Sequence, residues 1–223
     1  MFRSGCMSAR QRDQNVHRGR DPEARGIGAT LVGRSGLQLG EIAERAGGES
    51  LGALYDRLVF NPAGMEAAVI PFQQASADVD LAGGIDVDYL PFGKHYMEPD
   101  DTSWASLAGA SGGGATTARE MVCFLRSLFW GDLVRPATLD RMTMFDNTPD
   151  GEPQENVTGY GLGVARFSLD SGTWYGHGGA VMGWETLALY RPEPRIAVSV
   201  IINKTQREND IFRIFDELSP YFR

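Results

Sequence analysis

Tyr175-Gly176-His177-Gly178-Gly179-Ala180-Val181-Met182-Gly183-Trp184 runs directly into Glu185-Thr186-Leu187-Ala188-Leu189-Tyr190. A histidine followed by two glycines, entering an alternating apolar stretch, reads as a strand edge that lets a ligand approach the backbone. Glycines there remove Cβ atoms and leave amides free to face a reacting oxygen. A tight bend at Gly178-Gly179 accounts for the same residues without any ligand.

Working outward, Ile196–Ile202 is a continuous apolar, β-branched run, expected to be a buried strand. Arg191-Pro192-Glu193-Pro194-Arg195 supplies the turn before it. Thr205 and Glu208 have capping-box spacing ahead of Ile211, Phe212, Phe215 and Leu218, which predicts an amphipathic closing helix. Upstream, Gly161-Leu162-Gly163-Val164-Ala165-Arg166-Phe167 begins the run of strands, with residues 173–176 as the next.

Earlier still the period is helical. Leu37, Leu39, Ile42 and Ala43 end at Gly47-Gly48, and a second helix opens at Ser50-Leu51 and ends near Asn61-Pro62. Thr117 and Glu120 form a capping box before Met121, Phe124, Leu125, Leu128 and Phe129, and Pro136 starts another helix at its first position. Residues 66–108 read as irregular. Helices first, then a meander of strands, then a helix: the order predicts an α+β fold with an antiparallel sheet.

With 223 residues, 42% of them hydrophobic and 22% charged, the chain can bury one sizeable core. A net charge of -8 argues against a nucleic-acid surface. Cys6 and Cys123 make no disulfide framework. No stretch is long and apolar enough for a membrane span, and none near the start reads as a signal peptide, so the expected location is cytoplasmic as written. His17, His95 and His177 lie far apart without metal-ligand spacing, so neither a metal nor another cofactor is expected. The glycines 112–114 lack a following Gly-Lys-Ser/Thr and read as a helix start rather than a phosphate loop.

Residues 1–36 stand apart. Seven arginines face Asp13, Asp21 and Glu23, which leaves the remainder of the chain at about -12 by subtraction from the whole. The expected division is therefore a basic arm over residues 1–36, disordered or out of frame, and one domain over residues 37–223.

Five landmarks occur in one order. Leu39-Gly40-Glu41-Ile42-Ala43-Glu44-Arg45-Ala46-Gly47-Gly48 is followed by Asn61-Pro62-Ala63-Gly64-Met65, then by Gly112-Gly113-Gly114-Ala115-Thr116-Thr117-Ala118-Arg119-Glu120. Tyr160-Gly161-Leu162-Gly163 and His177-Gly178-Gly179 complete the series. Together they resemble the serine β-lactamase and penicillin-binding-protein family, in its group of class C β-lactamases, D,D-peptidases, D-aminopeptidases and esterases. In that family His-x-Gly often replaces the third motif, Lys-Thr-Gly. The resemblance implies a β-lactamase/transpeptidase-like fold and serine-dependent hydrolysis of an amide, β-lactam or ester through an acyl-enzyme. It further implies that His177 faces the cleft and that Gly178, Gly179 and Ala180 line the oxyanion and substrate wall. A small-molecule or peptide-like substrate follows.

The resemblance also has a gap. The family's Ser-x-x-Lys nucleophile motif and Tyr-x-Asn motif are both missing, for the lysines are Lys94 and Lys204, with Pro91 and Ile201 three residues upstream. Alignment on Leu39-Gly40 puts Leu31, Val32 and Gly33 where Tyr-x-Asn belongs. The chain is thus expected to be the C-terminal portion of the domain, incomplete at its N-terminal side and inactive alone. An arginine- and glycine-rich start suggests out-of-frame translation of GC-rich coding sequence; a genuine divergent arm is the alternative. Missing strands would expose a sheet edge and invite self-association.

Two other functions compete. Gly109-Ala110-Ser111-Gly112-Gly113 matches Gly-x-Ser-x-Gly, so an esterase could use Ser111 with Asp132, Asp140 or Asp170 and then His177. The polar, irregular stretch before Ser111 speaks against the strand that such an elbow needs. The other alternative is a non-catalytic binding or scaffold protein. Tyr160 and Trp184 are candidate cleft residues, with packing as the plainer role for each.

Overall fold

A computed structural model describes residues 36–70, 81–88, 93–98, 109–131, 133–146, 156–206 and 210–222. Its centre is an antiparallel five-stranded meander: β3 (Val157–Tyr160), β4 (Ala165–Leu169), β5 (Gly172–Val181), β6 (Trp184–Arg191) and β7 (Ile196–Ile202), adjacent in that order. Two shorter strands, β1 (Gly84–Asp86) and β2 (His95–Met97), join β8 (Lys204–Thr205) in a second sheet, with β1 parallel to β8. The α+β reading with an antiparallel sheet and flanking helices is what the structure has.

Alternation along the strands sorts side chains onto two faces. Phe167, Trp174, Leu187, Leu189 and Val200 face the closing helix α6 (Asp210–Leu218), where Ile211 and Phe215 meet them in the main core. Trp174 and Phe215 are fully buried and cross edge-to-face at 5.1 Å. On the opposite face Tyr190 stacks on Phe129 at 4.4 Å and meets Trp130 edge-on, which docks helix α4 (Ala118–Phe129). Between these layers Gly176 is essential to the pairing. A Cβ on it would lie 2.0 Å from the Ala188 carbonyl oxygen.

The helices follow their sequence signals. Helix α1 (Gly36–Gly47) ends in glycines, and Ser50 caps α2 (Leu51–Tyr55) by accepting from the Ala53 amide. This helix ends one residue past Pro62, near the predicted Asn61-Pro62 stop. It runs through a π-helical turn (Asp56–Phe60) into α3 (Asn61–Ala63), and Gly64 stops it in the left-handed conformation at φ 70°. Proline lacks an N–H and crowds the carbonyl four residues back, and the wider π turn accommodates both. Thr117 caps α4 by accepting from the Glu120 amide, as its spacing predicts. The Glu120 carboxylate in turn accepts from the Ala67 amide at 2.8 Å and the Thr116 hydroxyl at 3.0 Å. Pro136 begins α5 (Pro136–Met142).

Three expectations are overturned. Residues 66–108 are not wholly irregular, since they hold β1 and β2. The run Ile196–Ile202 is mostly half-buried rather than buried, because β7 ends the five-strand order and Val200 alone among its residues is buried. Thr205 caps no helix among the described residues. It lies in β8, fully buried, where its hydroxyl donates to Asp86 at 2.9 Å and accepts from the Gly183 amide at 2.9 Å. Its capping-box partner Glu208 lies outside the described residues.

That threonine ties the small sheet to the tip of the β5–β6 hairpin. Around it, the Asn203 amide donates to the Gly83 carbonyl and the Trp184 indole to Ala82. Thr205→Val keeps the shape but removes a hydroxyl from two buried partners, so we expect a loss of about 1–3 kcal/mol in urea unfolding. Thr205→Ser should recover most of it.

Candidate functional site

The decisive local feature is where β4 stops. Its register with β5 runs from Leu169 opposite Gly172 to Ala165 opposite Gly176. Strand β5 continues five residues further, and His177, Gly178, Gly179, Ala180 and Val181 pair with β6 through Ala188, Leu187, Thr186, Glu185 and Trp184. Among the described residues, this half of β5 therefore has a neighbour on one side only. No bend is present at Gly178-Gly179; both lie within a ten-residue strand. Consecutive amides of an antiparallel strand point to opposite sides. At least one of the Gly178, Gly179 and Ala180 N–H groups accordingly faces the open side.

At the start of this open stretch stands His177, exposed, with both ring nitrogens engaged. Its Nδ1 lies against the Gly178 carbonyl oxygen, and its Nε2 is 2.7 Å from the Tyr160 hydroxyl. The two rings meet edge-on at 5.6 Å. A carbonyl can only accept, so in neutral His177 the proton resides on Nδ1 and Nε2 accepts from the tyrosine. Burial raises the Tyr160 pKa above its ordinary value of 10.0, which keeps the phenol protonated and able to donate.

Tyr160 closes β3 rather than opening a strand, and Gly161-Leu162-Gly163-Val164 is the turn into β4. The register there shifts between Val157 and Gly159, an irregularity of the β-bulge kind, and such bulges re-aim side chains. Against Gly159, Phe145 packs on Tyr175 at 5.1 Å and lies under the Arg166 guanidinium at 5.3 Å. Arg166 also donates to the Thr158 hydroxyl and carbonyl.

Other candidate residues fall elsewhere. Ser111 is exposed at the end of a 3-10 turn (Gly109–Ser111) that packs against α1. Both His177 nitrogens are taken by Tyr160 and Gly178 and neither by Ser111. Asp140 lies on α5 and is exposed, Asp170 sits in the β4–β5 turn, and Asp132 is outside the described residues. Trp184 packs against Met97, as do Val181 and Met182, at the tip of the β5–β6 hairpin. No group of three or more His, Cys, Asp or Glu among the described residues is placed to hold a metal ion. No helix of the described residues is long and apolar enough to cross a membrane.

Sequence reasoning missed the Asp86–Thr205 support beneath the hairpin tip. The alternation Ile85-Asp86-Val87-Asp88 was the signal for β1, but which of its carboxylates is buried depends on a partner 119 residues away.

The sequence model of the β-lactamase family matches residues 35–217, and the chain belongs to that family. A D-aminopeptidase of Gluconobacter oxydans (strain 621H) is 25% identical over 181 residues, covering 80% of this chain and 32% of the relative. Among solved structures, a D-stereospecific amidohydrolase from a Streptomyces species superposes with a TM-score of 0.64 at 24% identity. That match covers 80% of this chain and 51% of the other. The D-amino acid amidase of Ochrobactrum anthropi SV3, complexed with L-phenylalanine, gives 0.69 at 21% identity, covering 82% and 55%. A penicillin-binding protein from Bacillus halodurans gives 0.58 at 20% identity, covering 81% and 53%. The chain spans about a third of the length of the curated relative and about half of these solved ones.

The half-buried phenol can be tested directly. Subtracting the alkaline absorbance titration of Tyr160→Phe from that of the parent should isolate one tyrosine ionising above pH 10.0. A midpoint at or below that value would contradict the arrangement.

Proposed function

We propose that the open half of β5 is the substrate-orienting wall of an amide hydrolase, and that its ligand is the amide of a D-amino acid or of a short peptide-like molecule. The observation that carries this reading is the Tyr160–His177 pair at the start of a strand segment with one side unpaired among the described residues. An extended ligand can add to such an edge through main-chain hydrogen bonds, with Gly179 and Ala180 exposed beside it. Hydrolysis passes through a tetrahedral oxyanion, and an N–H from Gly178, Gly179 or Ala180 is suited to receive that oxygen. Family membership and the amide-cleaving relatives support the choice of amide over ester.

His177 has a limited part in this scheme. With Nδ1–H held by Gly178 and Nε2 by Tyr160, it orients its neighbours rather than removing a proton. Attack on the carbonyl needs an activated nucleophile, and no Ser-x-x-Lys occurs in the 223 residues. This chain alone therefore binds its ligand without turning it over.

Incubation of the isolated chain with nitrocefin, p-nitrophenyl esters and D-phenylalanine p-nitroanilide should give no hydrolysis above buffer. A fluorescent β-lactam should leave no covalent label. Stoichiometric acylation of any serine defeats the claim of a missing nucleophile, and its loss in Ser111→Ala would assign the activity to that residue. D-Phenylalaninamide should shift the backbone amide resonances of Gly178, Gly179 and Ala180. If those signals stay still at saturating ligand while others move, the wall has been placed wrongly.

A further inference from the structure

We propose that Gly178, His177 and Tyr160 form an oriented hydrogen-bond relay that leaves the tyrosine oxygen a pure acceptor, and that this oxygen receives an amine or ammonium N–H of the ligand. The second half rests on the reading of β5 as a substrate wall.

The polarity follows from the end that cannot reverse. The Gly178 carbonyl has no proton to give, so the His177 Nδ1 beside it must donate. A neutral imidazole carries one N–H, which leaves Nε2 bare. The only hydrogen on the Tyr160 hydroxyl then points at Nε2, 2.7 Å away. What the phenol has left is lone-pair density. Donation into the imidazole also polarises the O–H bond and strengthens the oxygen as an acceptor.

Location makes this acceptor useful to a ligand. The Tyr160–His177 hydrogen bond is solvent-exposed, and it stands where β4 pairing with β5 ends, at Gly176. The same edge offers N–H groups from the backbone, which suit a carbonyl or developing oxyanion. The two ends of the wall thus have opposite demands: backbone donors take the ligand's oxygen, and the tyrosine oxygen takes its N–H. A ligand with a carbonyl and a nearby amine satisfies both, whereas a deaminated analogue satisfies one.

Two measurements decide the matter. In the parent chain with 15N-labelled histidine, assigned by His177→Gln and held about two pH units above the ordinary histidine pKa of about 6.5, His177 should show a protonated Nδ1 and a bare Nε2. A protonated Nε2 overturns the relay. Binding of D-phenylalaninamide is then compared with that of 3-phenylpropionamide, which lacks the amine. The parent should favour the amine by about tenfold or more, the scale of one hydrogen bond to a charged group. Tyr160→Phe should abolish that preference, bringing the two affinities within about twofold of each other, a loss of ratio that a packing defect weakening both ligands alike would not produce. An undiminished preference in Tyr160→Phe overturns the assignment of the acceptor. Failure of both amides to bind the parent removes the ligand half together with the substrate-wall reading, and the nitrogen spectrum still decides the relay.

Discussion

The arrangement depends on one mismatch of strand lengths. Strand β6 accompanies β5 along seven residue pairs, from Tyr175 to Val181, while β4 lets go at Gly176. A strand released on one side has backbone donors and acceptors that must find another partner or remain in water. Held firmly from β6, it keeps its extended form without that partner. The stretch His177-Gly178-Gly179-Ala180 is therefore held extended from β6 and, among the described residues, paired on that side only.

Support for this strand comes from two directions. Beneath the sheet, Trp174, Phe215 and Phe222 form a mutually packed aromatic group that anchors the first half of β5 to the closing helix. At the far end, the Thr205 hydroxyl, which donates to Asp86, accepts from the Gly183 amide of the hairpin tip. The open segment lies between these fixed points. Its one prominent side chain, His177, is held in turn by the strand itself through Gly178 and by β3 through Tyr160.

Much of the fold was legible because its signals are local. The Thr117 cap, the glycine stop at Gly64 and the Pro136 start each work through atoms within a few residues. Thr205 shows the limit of such reasoning. Its spacing to Glu208 is that of a capping box, yet its hydroxyl is bound by Asp86 and Gly183, residues 119 and 22 positions away. A hydroxyl satisfies whichever donors and acceptors are brought to it, and chain spacing does not record those that arrive from afar. The half-buried state of Ile196–Ile202 has a similar origin, since an apolar run does not reveal whether its strand lies inside a sheet or at its end.

For the site, the sequence alone determined that His177-Gly178-Gly179 belongs to a strand region with bared backbone, and that its neighbours follow the order of the β-lactamase family. It also determined that no Ser-x-x-Lys accompanies them. Only the tertiary structure decided that the glycines continue a strand, that β4 pairing stops at Gly176, and that Tyr160 hydrogen-bonds His177. The physical reason is one of range. Glycine content and strand period act through neighbouring residues, whereas an unpaired edge and a tyrosine–histidine bond exist only once β3, β4 and β5 have been aligned.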